Sequence, residues 1–278
     1  MDGIFLMLCA DLVFALMAAA TKFTGARLPA SEIVVVRSVL SCITLYFVLR
    51  TNKISLEAKE PGLLWARGVV GYIALQSYFW ALPQLTLGTA VMLNYTAPIF
   101  AIIFSFYALG ERPPLAVKLS LLALSAGIYL LCSGDFSGHP VAVAAGLLSG
   151  ILAGSVYVMI RRGHKTDSPL LIIFYFSVCC ALGSTILLLR TGCIAPTFSE
   201  WLGLLAISAA SLLGQVFLTY SLRKSPVWAV APFGYLTPVL SLVLGVFFWG
   251  ETPSAANLLG GAMVILCGIV LVKKYGRV

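Results

Sequence analysis

The sequence predicts an all-α polytopic membrane protein, with ten transmembrane helices arranged as a 5+5 inverted-topology repeat. Three observations predict it: a composition too apolar for any aqueous fold, basic residues gathered at alternate breaks between apolar runs, and a self-match at a fixed offset.

The 278 residues are 60% hydrophobic and 10% charged, and mean hydropathy is +1.02. That apolar share exceeds what a soluble domain carries. A spanning helix needs roughly 20 apolar residues to cross about 30 Å of hydrocarbon. Such stretches fall near 3–24, 30–50, 62–82, 86–109, 114–133, 140–161, 168–190, 201–222, 227–249 and 255–273. The connections between them are too short to fold alone. The first run follows Met1-Asp2-Gly3 with no basic segment and continues past Ala20, too long for a signal-peptide core, so it reads as a span. Cys9, Cys42, Cys132, Cys179, Cys180, Cys193 and Cys267 lie mostly within apolar runs without metal-ligand spacing and read as packing residues. The triplet Asn94-Tyr95-Thr96 sits inside a predicted span, where it cannot be a glycosylation site.

A net charge of +8 would suggest nucleic acid in a soluble protein, whereas here the basic residues mark one side of a membrane. With the N-terminus inside, the inner breaks and tail hold Arg50, Lys53, Lys59, Arg112, Lys118, Arg161, Arg162, Lys165, Arg223, Lys224, Lys273, Lys274 and Arg277. The outer breaks hold only Lys22, Arg27 and Arg190, a ratio of 13 to 3, and Arg37 and Arg67 fall within spans. Both termini are therefore expected in the cytoplasm, and the number of spans is even.

Residues 95–119 recur at an offset of 140: Tyr95, Pro98, Gly110, Glu111, Pro113, Ala116 and Leu119 match Tyr235, Pro238, Gly250, Glu251, Pro253, Ala256 and Leu259. The chain divides into repeats at 1–134 and 138–278. Five spans per copy turn the second copy upside down, and transporters with that symmetry hold substrate near the midplane between repeats.

The segments PASEIVVVRS in the second span, ARGVVGYIALQSYFWALPQLTLGTAVMLNYTAPIF across the third and fourth, and the duplicated LGERP and WGETP resemble the EamA branch of the drug/metabolite transporter superfamily. The resemblance covers nearly the whole chain. It implies a central cavity lined mainly by the third, fourth, eighth and ninth spans, and export of amino acids or related polar and anionic metabolites by alternating access. The expected location is a bacterial inner membrane. The partners implied are a small-molecule substrate and the bilayer, with no nucleic acid and no cofactor, and a homodimer is compatible with this reading.

Several residues carry both a functional and a structural reading. Glu111 and Glu251 each precede a proline by two residues at a helix start, where a carboxylate meets the positive end of the helix dipole; capping is the expectation. Pro98 and Pro238 lie deep in the fourth and ninth spans, where proline kinks a helix and frees the carbonyl four residues earlier, at Asn94 and Gly234. Such kinks serve binding or packing. Tyr72, Gln76 and Trp80 recur every four residues on the third span, and Ser208, Ser211, Gln215 and Thr219 share a face of the eighth. These stripes line a cavity or bond helix to helix.

Ionisable groups inside a span cost roughly 2.5–3.5 kcal/mol each on insertion scales, so Asp11, Arg37 and Arg67 require partners or a role. Arg67 approaches from the side of Asp11 and can reach it or the headgroups. Glu32 and Arg37 share the outer half of the second span. Asp11 is the candidate for proton coupling. The substrate-facing candidates are Tyr72, Gln76, Tyr78, Trp80, Asn94, Tyr95, Pro98, Gln215, Thr219, Tyr235, Pro238, Arg37 and Arg67. The small-residue stripes Gly146, Gly150, Gly154 and Gly260, Gly261, Gly268 read as tight helix packing.

No GxxxxGK[ST] loop is present, so energy must come from a gradient rather than ATP. The two histidines, His139 and His164, fall in loops, and no HExxH or Ser-x-x-Lys element stands in a span, which argues against an intramembrane enzyme. A channel or facilitator is the alternative of a different class.

Overall fold

The computed structural model describes residues 2–24, 27–81, 84–85, 93–131, 140–250 and 252–275. Every described element is helical: α1 (Asp2–Thr24), α2 (Ala30–Thr51), α3 (Pro61–Ala81), α4 (Ala97–Leu109), α5 (Leu115–Leu131), α6 (Pro140–Gly163), α7 (Pro169–Thr191), α8 (Phe198–Lys224), α9 (Val227–Val230), a 3-10 turn (Ala231–Tyr235), α10 (Leu236–Trp249) and α11 (Ala255–Tyr275). Among the described residues, seven segments are long and apolar enough to cross a membrane, with α9, the 3-10 turn and most of α10 counted as one. The remaining three expected spans correspond to α3, whose 21 residues have the length, and to the shorter α4 and α5. The start of the expected fourth span, residues 86–92, lies outside the described residues.

The helix pairings follow from the duplication. The extensive contacts are α1 with α8, α3 with α6, α2 with α7, and α5 with α11, followed by α4 with α6, α3 with α7, α1 with α10 and α2 with α8. Exchanging α1 for α6, α2 for α7, α3 for α8, α4 for α10 and α5 for α11 maps this set onto itself. Each half therefore presents the same surfaces to the other. The repeat also shows locally: α4 and α10 both end on a glycine in the left-handed region, Gly110 at φ 68° and Gly250 at φ 64°, a conformation glycine adopts without steric cost.

Large apolar side chains face outward, among them Leu122 at 70%, Phe247 at 81% and Leu189 at 82% exposure. In water this surface would be strongly unfavourable, at about 25 cal/mol per Å² of apolar area. Against lipid tails it is not. Helix association then depends on close packing rather than on the hydrophobic effect, and the glycine stripe of α6 supplies it. A Cβ on Gly150 would overlap Thr96 Oγ1 and stand 2.5 Å from Leu93 O, while one on Gly154 would stand 2.8 Å from both Ala97 O and Ala101 N. α6 thus rests directly on the backbone of the fourth span. On α11 the stripe is only partly of this kind: Gly260 O lies against Gly127 of α5, but a Cβ on Gly268 would meet nothing within 4 Å. The packing expectation for Gly268 is corrected accordingly, because the space beside that residue is open.

Replacing Gly154 by Leu should push α4 off α6. The expected loss is about 1–3 kcal/mol of stability, the scale of overpacking in a close-packed core, read as a lower thermal unfolding temperature in detergent. An unchanged transition would contradict the seating described here.

Candidate functional site

Two spans are interrupted in their first halves. In the fourth, helical residues Leu93 and Asn94 give way to a turn at Tyr95 and Thr96 before α4 begins. In the ninth, α9 passes through the 3-10 turn before α10 begins. The interruptions occupy the residues just before Pro98 and Pro238, where a missing proline N–H costs the helix a bond. Pro232 and Gly234 lengthen the second break, and sequence reasoning passed over Pro232. The freed carbonyls do not open onto a cavity as expected: the Leu236 N–H turns back toward Phe233 O and Gly234 O, and Asn94 O packs against Gly150 of α6. Side chains, not backbone, form the polar centre.

That centre lies where the breaks meet. Asp11 of α1 is buried, and its Oδ1 accepts a hydrogen bond from the Thr237 hydroxyl at 3.1 Å. Thr237 is the second residue of α10, so the carboxylate stands beside the positive end of a half-helix. Asp11 Oδ2 has no partner. The Tyr95 hydroxyl bonds with Thr237, and Tyr78, Tyr157 and Asp11 lie near Tyr95. Gly234 closes the ring: a Cβ there would meet Met7 Cε at 3.6 Å, Pro98 Cγ at 3.7 Å and the Tyr157 hydroxyl at 3.8 Å. Thr237 and Tyr157 were not among the sequence candidates. Tyr157 could have been found, since it lies on α6 one further step along the Gly150–Gly154 face.

The two buried arginines form a second polar group. Arg37 Nη1 donates to Ser211 Oγ at 2.8 Å, and Arg67 Nη2 donates to Gln215 Oε1 at 3.1 Å. Arg67 also lies over the Phe176 ring, 4.0 Å from its centroid. The expected reach of Arg67 to Asp11 or to headgroups is not what the structure holds, because Arg67 is only 2% exposed and turns toward α7 and α8. Glu32 likewise bonds the Ile194 N–H at 3.0 Å rather than Arg37.

The remaining candidates distribute between interfaces and surface. The Gln76 amide donates to Ser184 Oγ at 3.0 Å, the Tyr72 ring packs on Gly183, and both contacts run from α3 to α7. The Asn94 amide donates to Ser149 of α6 at 3.1 Å. Thr219 and Tyr235 are fully buried, and Trp80 is half exposed on the outer surface.

Both ends of the bundle are tied by ion pairs. At one end Glu111 Oε2 accepts the Val227 N–H at 2.8 Å and Oε1 meets Arg161 Nε at 3.3 Å. Glu111 thus caps α9 in the other half rather than α5, the helix it precedes. Arg161 also donates to the carbonyls of Leu222 and Arg223, each at 2.9 Å. Beside it, burial holds the His164 imidazole below its ordinary range, with Arg161, Arg223 and Lys165 adding to the effect. At the other end Arg27 Nε donates to Glu200 Oε1 at 2.8 Å, a hydrogen bond that raises the Arg27 guanidinium above its ordinary value. Glu251 lies outside the described residues.

A bilayer-facing bundle of two exchangeable halves, with half-helix ends meeting at a buried polar centre, defines a secondary transporter built from repeats. The EamA-like transporter family matches residues 1–133 and again residues 140–273, and the chain belongs to that family. The pseudopaline exporter CntI of Pseudomonas aeruginosa is 34% identical over 271 residues, covering 97% of this chain and 95% of the exporter. An S-adenosylmethionine uptake transporter of Rickettsia prowazekii is 21% identical, covering 88% of this chain and 83% of its own. A solved crystal structure superposes with a TM-score of 0.87 over 99% of both chains at 21% identity, a likeness of fold alone.

Proposed function

We propose that this transporter exports small polar organic solutes, amino acids and related anionic metabolites among them, by proton-coupled alternating access between its repeats at 1–134 and 138–278. The observation that carries the reading is Asp11, a buried carboxylate with one free oxygen beside the first turn of α10. A group so placed accepts from the Thr237 hydroxyl at the start of a half-helix and still has an oxygen on which a proton can sit. Tyr95, Pro98, Tyr157 and Gly234 bring both halves to the same point, so rocking one half against the other changes access to it. Export follows the direction named for the relative at 34% identity. Tyr78 lies at this centre, Tyr72, Gln76, Asn94 and Gln215 hold the neighbouring helix interfaces, Thr219, Tyr235 and Pro238 complete the candidate set, and Trp80 is the candidate this reading no longer needs.

The orientation proposed is a bacterial inner membrane with both termini in the cytoplasm, supported by the charge ratio of 13 to 3. A cysteine at Arg112, in a background without the seven native cysteines, should resist an impermeant thiol reagent added outside intact cells. Ready labelling would overturn the orientation.

Asp11→Asn tests the coupling. The amide oxygen still accepts from Thr237, and no cation is stranded, since Arg67 bonds Gln215 instead. In proteoliposomes supplied with a labelled amino-acid mixture, the variant should keep exchange and thermal stability but lose accumulation driven by a pH gradient. Undiminished driven accumulation by a stable variant would remove Asp11 from the mechanism.

A further inference from the structure

We propose that Arg37 and Arg67 together form a receptor site for a small carboxylate, the group by which cargo is held during transport; this rests on the transport reading above and gives it a substrate class.

Both guanidinium groups are buried, at 7% and 2% exposure. Their partners carry no carboxylate: Ser211 Oγ, Gln215 Oε1 and, beside both, the Cys180 thiol. Ser211 and Gln215 are four apart on α8, so they lie on one face about 5–6 Å from each other, and the arginines they hold are about one helical turn apart. Three nitrogens of the pair, Arg37 Nε, Arg67 Nε and Arg67 Nη1, are buried without any hydrogen-bond partner. Among the described residues, no carboxylate lies within ion-pairing distance of either one. The same molecule shows what a structural arginine looks like: Arg27 has Glu200 and Arg161 has Glu111. A buried cation with unsatisfied donors and no counter-ion is costly unless an anion arrives.

A cleft of about 10 Å³, the size of one water, opens beside Arg37, Ser38, Ser41, Ser177, Ser211 and Gln215, and Arg67 meets its edge through Gln215. Its polar lining is almost wholly hydroxyl and amide, which complete the hydrogen bonding of a carboxylate without competing for the cations. The planar guanidinium fork matches a carboxylate's two oxygens better than a point charge would.

Depth along the bundle places this cleft near the level of the coupling centre. Along the α1–α8 seam, Gly3 meets Ser221, Phe14 meets Gly214 and Thr24 meets Gly203, so Asp11 lies near the level of Gln215. The repeat does not account for these charges. The corresponding stretches of the second half, residues 148–151, 175–177 and 205–207, contain no charged residue at all. Asp11, Arg37 and Arg67 are therefore departures from the duplicated scaffold, one acid and two bases at neighbouring depths, as a carrier of carboxylates coupled to protons requires.

The test uses purified full-length protein in detergent, with succinate as probe, neutral succinamide as its isostere and sodium chloride at matched ionic strength. Succinate should raise the unfolding temperature in a saturable way, and succinamide and chloride should not. Arg37→Gln and Arg67→Gln should each weaken the succinate response about tenfold or more, and Arg67→Lys should restore it only in part. If wild-type protein responds to succinate no more than to chloride, or responds more strongly to inorganic phosphate, the carboxylate assignment falls whatever the variants do. A full succinate response in folded Arg37→Gln and Arg67→Gln proteins would equally overturn it. Amino-acid exchange by wild-type proteoliposomes, measured in parallel, separates this failure from failure of the transport reading itself.

Discussion

In hydrocarbon a backbone break survives only where protein covers it, because no water is present to bond the released groups. The rest of this structure depends on that constraint. The fourth and ninth spans are broken in their first halves, and each break is covered by the first helix of the opposite half. α6 lies over the fourth span with Gly146, Gly150 and Gly154 against Leu93 to Ala101. α1 lies over the ninth with Met7 against Gly234 and Asp11 against Thr237. The covers are equivalent under the exchange of halves, which is why the duplication is preserved in the packing.

They differ in chemistry. α6 meets its break with bare backbone, the tightest contact a helix can make, whereas α1 meets its break with a carboxylate. One cover is a bearing surface and the other a titratable group at a half-helix terminus. The two buried arginines extend the same asymmetry, since Arg37 and Arg67 also belong to the first half and are received by neutral groups of the second, Ser211 and Gln215. A duplicated scaffold supplies the movement, and single-copy charges supply what is moved and what drives it.

Much of the fold was legible in the sequence because membrane crossing and duplication both leave linear signatures. Apolar runs of span length marked the helices, and the Tyr-Pro and Gly-Glu matches at an offset of 140 marked the repeat. Pro98 and Pro238 marked the breaks, since a proline deep within a span removes a helical bond. Side-chain partners were less legible. An arginine side chain is long enough to choose among several neighbours, so its sequence position leaves the partner open: Arg67 was expected near Asp11 but bonds Gln215, 148 positions away. Glu111 was expected to cap the helix after it, yet the chain folds back so that Val227 arrives instead. Thr237 carries no distinctive pattern in a membrane helix, where hydroxyl residues commonly bond between helices.

The central claim is that the point where the two breaks meet is open to each side of the membrane in turn. Gly234 is the place to measure it, because a Cβ there would make only ordinary contacts, the nearest at 3.6 Å. Gly234→Cys, in a background lacking the native cysteines, is treated with an impermeant thiol reagent in sealed vesicles of both orientations. The account predicts labelling from either side, with a pH gradient or added cargo raising the rate on one side while lowering it on the other. Equal labelling from both sides under every condition would describe a channel, and no labelling from either side would describe a packing core; each contradicts the account.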